Sequence, residues 1–246
     1  MPKFQSIGLI PAPIPSFGAH SHDTWEIVLY TFGRGCSTIG DEEIPFKPGT
    51  IICMPPRIPH EEKSQAGYTN IYMHTNEYFR PMDHAGPVRT PVFQDSPERS
   101  FFNIATILHR EYLLKQPNWK LLTQDLFDIL MLYLSRWEEK PPAHPWVERA
   151  KSIIVANLTD PEFDLGAAIA GLPVSADHLR KLFCKAEGCT PLDYLTRMRM
   201  DEARRLLKIG GFSVKEVAVR VGYTDPYYFS RTFRKVTGER PSELKS

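Results

Sequence analysis

The chain has 246 residues, with 30 Lys+Arg against 29 Asp+Glu and a formal net charge of +1. That length admits one large domain or two ordinary ones, each able to bury its own core, and two is the natural division. No apolar run approaches the roughly 20 residues needed to span a bilayer, and the start Met1-Pro2-Lys3-Phe4-Gln5-Ser6 lacks the charged-then-apolar build of a secretory leader, so a cytoplasmic protein without membrane contact is expected.

From Trp25 to about Ile71 the chain reads as short β-rich runs (25–32, 36–39, 50–54 and 69–74) punctuated by Gly and Pro, which suggests an antiparallel barrel or sandwich. Ile39-Gly40-Asp41-Glu42 reads as a hairpin turn, because Gly admits the positive φ that tight hairpins need. Cys36, Cys53, Cys184 and Cys189 form no C-x-x-C pair and are expected as free thiols. After Pro97 the period changes. Phe101, Ile104, Ala105, Leu108 and Tyr112 recur at helical spacing, and Leu121, Leu122, Leu126, Ile129, Leu130, Tyr133 and Leu134 do so again after Pro117-Asn118. Pro141-Pro142-Ala143-His144-Pro145 cannot continue a helix and marks a stiff linker. Up to Pro145 the chain carries 13 Lys+Arg against 16 Asp+Glu, and beyond it 17 against 13, so the halves are −3 and +4. A polyanion would prefer the second half, although that bias settles nothing by itself.

Everything beyond the linker, starting with Trp146 to about Asn157, reads as helices, and it contains a repeat. Phe183-x-Lys185-x-x-Gly188-x-x-Pro191 returns fifty residues later as Phe233-x-Lys235-x-x-Gly238-x-x-Pro241; Ala168 matches Ala218 and Leu179 matches Phe229. Each copy has the form of helix-turn-helix. In the first, Leu165 to Ala170 is a short helix, Gly171-Leu172-Pro173 breaks it, and Ser175 stands where an N-cap hydroxyl is needed. In the second, Val214 to Val221 is followed by Gly222-Tyr223; Asp225 caps and Pro226 takes the first helical position, where its missing N–H costs nothing.

At 100° per residue, Leu179, Leu182, Phe183 and Ala186 on the buried face place Asp177, Arg180, Lys181 and Cys184 outward. In the second copy Phe229, Phe233 and Val236 point inward, and Tyr227, Ser230, Arg231 and Arg234 outward. Arginine can fork onto guanine edges or phosphate and lysine neutralises phosphate, so both faces suit a major groove. With the helix starts included, the expected DNA contacts are Ser175, Ala176, Asp177, Arg180 and Lys181, then Pro226, Tyr227, Ser230, Arg231 and Arg234. Leu192 to about Lys208 reads as one joining helix of roughly 25 Å. A rod of that length can hold two recognition helices about one DNA turn apart, roughly 34 Å. Any of these cations alone fits an ordinary solvated face; the repeat, breaks and caps together favour double-stranded DNA.

These residues resemble the AraC/XylS family of bacterial transcription regulators. The second copy carries Ala218, Gly222-Tyr223, Asp225-Pro226-Tyr227-Tyr228-Phe229-Ser230-Arg231, Phe233-Arg234, Gly238 and Pro241. The first is similar through Ser175, Leu179, Phe183, Gly188, Pro191, Tyr194-Leu195, Arg199, Ala203 and Leu206-Leu207, and departs at Gly171 and Pro173. The resemblance implies a two-unit DNA-binding domain, recognition by the segments beginning at Ser175 and Asp225, and activation through RNA polymerase. It also implies a homodimer formed by the helices between Pro97 and Glu138, for which packing on the barrel is the plainer role.

In the N-terminal half, His20-x-His22-x-x-x-Glu26, with Gly33 seven further on and Pro55-x-x-x-x-His60 later, resembles the cupin pattern that offers three histidines and a carboxylate to a divalent metal. A metal-dependent cupin oxygenase or isomerase carrying a DNA-binding domain is the competing class. Sensor domains of the resembled regulators often carry such histidines without a metal, so the preferred reading is no enzyme and no cofactor. His20, His22, Trp25, Glu26, Tyr30 and His60 then line a pocket for a small-molecule effector, a carbohydrate or similar polar compound. Trp25 and Tyr30 fit ordinary barrel packing equally well. The expected fold is multi-domain α+β: a cupin-like ligand-sensing antiparallel β-barrel over residues 1–96, a helical dimerisation segment over 97–140, the linker over 141–145, and an all-α domain of two helix-turn-helix units joined by a long helix over 146–246.

Overall fold

A computed structural model describes residues 2–78, 90–139 and 143–244, and the chain divides into two compact units, Met1–Pro142 and Ala143–Ser246. The first unit is built on seven antiparallel strands: β1 (Phe4–His20), β2 (Trp25–Phe32), β3 (Gly35–Ile39), β4 (Glu42–Phe46), β5 (Thr50–Met54), β6 (His60–Thr75) and β7 (Val92–Gln94). Their order is β4-β3-β6-β2-β5-β7, with β1 also on β6, so β6 pairs with three neighbours along its length. The result is the expected cupin-like antiparallel architecture in half-barrel form. β2 and β5 have the bounds read from the sequence, and the β3–β4 turn falls on Gly40 at φ 57°.

Strand alternation divides the buried residues into two sets. Val28, Tyr30, Ile39, Ile44, Phe46, Ile52, Met54 and Tyr68 pack together on one face; Trp25, Ile27, Leu29, Ile51, Cys53, Ile71 and Met73 pack on the other. The second face is covered by α1 (Ser100–Leu114) and α2 (Trp119–Glu139) through Phe101, Ala105, Leu108, Phe127, Leu130 and Leu134. α1 is tied to the sheet by buried Asp95, whose carboxylate accepts from the Phe101 and Phe102 amides at 3.0 Å each and from the Ser96 amide at 2.7 Å. Those three amides lie at or before a helix start, where the backbone supplies no partner. Asp95→Ala is expected to lower stability of this unit by about 1–2 kcal/mol, read as a lower urea midpoint at unchanged slope. An unmoved midpoint would show that the bonds contribute nothing net.

The second unit contains α3 (Pro145–Ala156), α4 (Leu165–Ala170), α5 (Ala176–Glu187), α6 (Pro191–Ile209), α7 (Val214–Arg220) and α8 (Pro226–Thr237), then a 3-10 turn at Pro241–Glu243. Helix begins earlier than the linker reading expects: the His144 ring accepts from the Trp146 amide as N-cap and Pro145 takes the first position. Pro141 and Pro142 lie outside the described residues. Two cores form, one from α3, α4 and α5 around Ile154, Leu179 and Phe183, the other from α7 and α8 around Val217, Phe229 and Phe233. α6 gives Leu195 to the first and Met200, Ala203 and Leu207 to the second. Its 19 residues make a rod of about 28 Å. Val236, expected inward, is 44% exposed; it lies nearly a turn beyond Phe233 and outside the core cluster.

Candidate nucleic-acid interface and sensor site

Both recognition helices are fixed at both ends. The Ser175 hydroxyl accepts from the His178 amide at 3.3 Å, and the Asp225 carboxylate accepts from the Tyr227 amide at 2.8 Å behind Pro226. Each helix stops at a glycine in the left-handed region, Gly188 at φ 71° and Gly238 at 79°. The fifty-residue repeat is thus a repeat of caps, with Pro191 and Pro241 opening the next helical element in each copy. Leu179, Phe183, Phe229 and Phe233 are fully buried, and that fixes which side faces solvent.

On α5 the exposed side carries Ala176, Asp177, Arg180 and Lys181. Lys181 is paired with Asp177 at 2.7 Å, and that hydrogen bond holds the Asp177 carboxyl below its ordinary value. On α8, Tyr227 is 83% exposed, with Arg231 and Arg234 exposed beside it. Arg180, Arg231 and Arg234 form no ion pair among the described residues, so their guanidinium forks are free for an anion. Ser230 is half-buried and donates to the Pro226 carbonyl at 2.8 Å, which uses its only proton. His178 and Tyr228 are also exposed here, and the outward set drawn from the sequence leaves them out.

One buried cation organises the unit. Arg199 on α6 donates from Nε to the Leu158 carbonyl (2.9 Å), from Nη1 to Gly222 (2.9 Å) and from Nη2 to Asp160 (2.7 Å), with its charge 5.6 Å from the centre of the Tyr223 ring. It joins the segment after α3 to the turn between α7 and α8. The family pattern includes Arg199, but helical spacing alone gives it no role.

In the first unit, β1, the β1–β2 connection, β2 and β6 bring His20, His22, Glu26 and His60 together, with one ligand atom from each within 4.8 Å of all the others. A Glu26 oxygen lies 3.2 Å from His22 Nε2 and 3.3 Å from His60 Nε2. The Nδ1 atoms sit on backbone carbonyls: His20 on Gly18 (3.0 Å), His22 on Thr24 (2.7 Å) and His60 on Ile58 (3.0 Å). Burial by itself would raise the Glu26 carboxyl; the His22 and His60 contacts and the charges of His74 and His22 bring it down to about 2. Burial works against the His60 charge, but Glu26 more than offsets it and the pKa is raised. Behind them Glu62 is pushed up to about 7, by burial first and then by the Glu26 charge, and accepts from the Tyr30 hydroxyl at 3.3 Å.

Two expected pocket residues stand elsewhere. Trp25 points to the opposite face, stacked on Tyr78 at 4.7 Å in the core under the helices, because neighbouring strand residues alternate. Tyr30 is on the same face as Glu26 but fully buried, stacked on Phe46 at 3.8 Å, and is packing rather than an open wall. His74 joins the site unannounced, its Nε2 3.7 Å from Glu26, because β2 and β6 pair Glu26 with His74. A separate open depression of about 840 Å³ is lined by Pro15, Phe32, Arg34, Cys36, Pro48 and Lys63 among others, and shares no residue with the histidine cluster.

Paired helix-turn-helix units on one shared helix, with arginines outward, and in the other unit a half-barrel holding a polar cluster, define a DNA-binding regulator with a sensing domain. The chain belongs to the AraC family: the AraC-like ligand binding domain matches residues 11–140 and the helix-turn-helix domain residues 169–246. It is similar to the HTH-type transcriptional activator RhaR of Mannheimia succiniciproducens, 25% identical over 94% of this chain and 88% of that one. It also matches the arabinose operon regulatory protein of Escherichia coli K12, 32% identical over 43% of this chain and 36% of that one. Among solved structures it is similar to the C-terminal domain of AraT from Geobacillus stearothermophilus, 30% identical over 42% of this chain and 84% of that one, with a TM-score of 0.40. Among the described residues no helix is long and apolar enough to cross a membrane.

Proposed function

We propose that this regulator is a cytoplasmic, homodimeric activator without catalytic activity, which reads two successive major grooves through α5 and α8 and recruits RNA polymerase when an effector binds the half-barrel. The observation that carries the DNA reading is the set Arg180, Arg231 and Arg234, exposed and without ion-pair partners among the described residues, on two helices whose other sides are fully buried. Ala176, Asp177, Lys181, Pro226 and Tyr227 complete the surface; Ser175 acts through its cap and Ser230 through its helix. The arabinose operon regulator's match covers 43% of this chain, so the effector class rests on this chain's own chemistry. His20, His22, Glu26 and His60 offer polar anchors suited to a small polyhydroxyl compound such as a carbohydrate. The 840 Å³ depression supports a second seat, where Arg34 and Lys63 favour an anionic effector. Homodimerisation is supported by apolar side chains left uncovered on α1 and α2, among them Ile107 (50% exposed), Leu121 (65%) and Leu132 (64%).

Selection of sites from a random duplex pool by the full-length protein tests this reading. Enriched half-sites about 10 base pairs apart are expected. Effector and operator should raise each other's affinity by one common factor. Recovery of no enriched sequence would remove the DNA assignment; binding of effector without mutual effect would remove the coupling.

A further inference from the structure

α5 and α8 are built alike, yet at one outward position they differ in charge. Asp177 is the second residue of α5, and Tyr227, fifty residues on, is the second of α8. α8 contains no acidic residue, and the other acid of α5, Glu187, lies at its far end, bonded to Lys151 at 2.9 Å. Asp177 is therefore the one carboxylate among the outward cations of the two recognition helices. Its side chain is 73% exposed, and the Lys181 ammonium one turn on holds it at 2.7 Å. The same bond keeps the carboxyl ionised below its ordinary range, so it has oxygens that accept and no proton to give. Phosphates repel such a group, and turned toward the DNA backbone it would only weaken binding. The first residues of a recognition helix meet base edges instead, and there a carboxylate can find a donor.

We propose that Asp177 is a specificity-determining residue of α5 and reads a cytosine, its carboxylate accepting from the N4 amino group in the major groove. The inference rests on the reading of α5 as a DNA-recognition helix. Guanine and thymine present only acceptors among the polar atoms of that edge and repel a carboxylate. Adenine offers its N6 amino group, but N7, an acceptor, stands beside it on the same edge. Cytosine alone offers an amino donor with no acceptor next to it on the same base. Lys181 is a positioning residue in this account: one of its three N–H groups fixes the carboxylate, and two remain for DNA. Tyr227 at the matching position carries no charge, so α8 makes no such choice. The two half-sites therefore differ in sequence, and an operator read this way has a direction.

Site selection by the full-length wild type supplies the operator. Affinities of wild type, Asp177→Asn and Asp177→Ala are then measured for that duplex and for duplexes with each base pair replaced in turn. In the wild type one C·G pair is expected whose replacement costs about tenfold to a hundredfold through Asp177. Asp177→Ala should bind all four pairs at that position equally. Asp177→Asn should prefer A·T there, because a carboxamide both donates and accepts and so matches adenine N6 and N7. Both variants should keep the wild-type preferences at every other pair. A negative charge in a first helical turn also stabilises the helix, but that role moves the thermal transition and leaves base preference alone. Wild-type preference at every pair in both variants overturns the assignment while the DNA reading stands, as does a lost preference at a pair other than C·G. Failure of the wild type to enrich any sequence overturns both.

Discussion

Arg199→Ala is expected to destabilise the DNA-binding unit by about 3–5 kcal/mol, the largest effect of any single side chain in it. A hydrogen bond to a charged group contributes about 1.5–3 kcal/mol net, and removing the donor strands a buried acceptor at about 1–3 kcal/mol. Here one guanidinium serves three carbonyls, those of Leu158, Asp160 and Gly222, and the residue is 9% exposed. The individual terms overlap, which is why the sum is not simply tripled. For a unit of about a hundred residues such a loss lowers Tm by on the order of 15–25 °C. Operator affinity should fall with it, because Arg199 fixes the α7–α8 turn against the segment after α3. Lysine at this position keeps the charge but not the fork, so Arg199→Lys should recover only part of the loss. Gly222→Ala attacks the same junction from the other side. Gly222 has φ 79°, and an added Cβ would stand 2.6 Å from the Arg199 guanidinium carbon. That tip cannot swing away without releasing its three carbonyls. A wild-type transition in Arg199→Ala would sink this account.

What the sequence discloses follows from how local the governing interactions are. The ends of α5 and α8 are legible because Ser175, Asp225, Pro226, Gly188 and Gly238 act on backbone groups within three or four residues. β2 and β5 are legible because both faces of each are buried and read as continuous apolar runs. β1 is not: Pro11, Pro13 and Pro15 argue against a strand, and the structure admits them only through register shifts between Ile10, Ile14 and Ser16 along β6. The first half of β6 hides for a related reason, since its inward residues Glu62 and Ser64 are polar. His74 lies 48 residues from Glu26 and reaches it only through strand register, which no local pattern carries. The placement of Trp25 under the helices is legible from strand alternation alone. Adjacent strand residues face opposite sides, so Trp25 and Glu26 could never share a pocket.

Exposed cations behave differently from Arg199, because their removal leaves the fold intact and acts only on the bound state. Replacing Arg180, Lys181, Arg231 and Arg234 together with alanine is expected to cost more than a thousandfold in operator affinity near physiological salt. Each phosphate contact contributes about 0.9 to the slope of log affinity against log salt, so the loss of four would flatten that slope by about 3.6. The four do not contribute equally. Lys181 is already paired with Asp177, so Asp177→Asn should free it and tighten binding to any duplex. Arg231 has no such partner among the described residues. If it forks onto a guanine, Arg231→Ala costs about 1–3 kcal/mol on the operator and relaxes preference at one base position; if it meets phosphate, all sequences weaken alike and the slope falls by about one. Titrations of operator and random duplex at several salt concentrations separate the two roles. Retention of specific affinity by the fourfold variant, with its thermal transition unchanged, would show that DNA is read by some other surface.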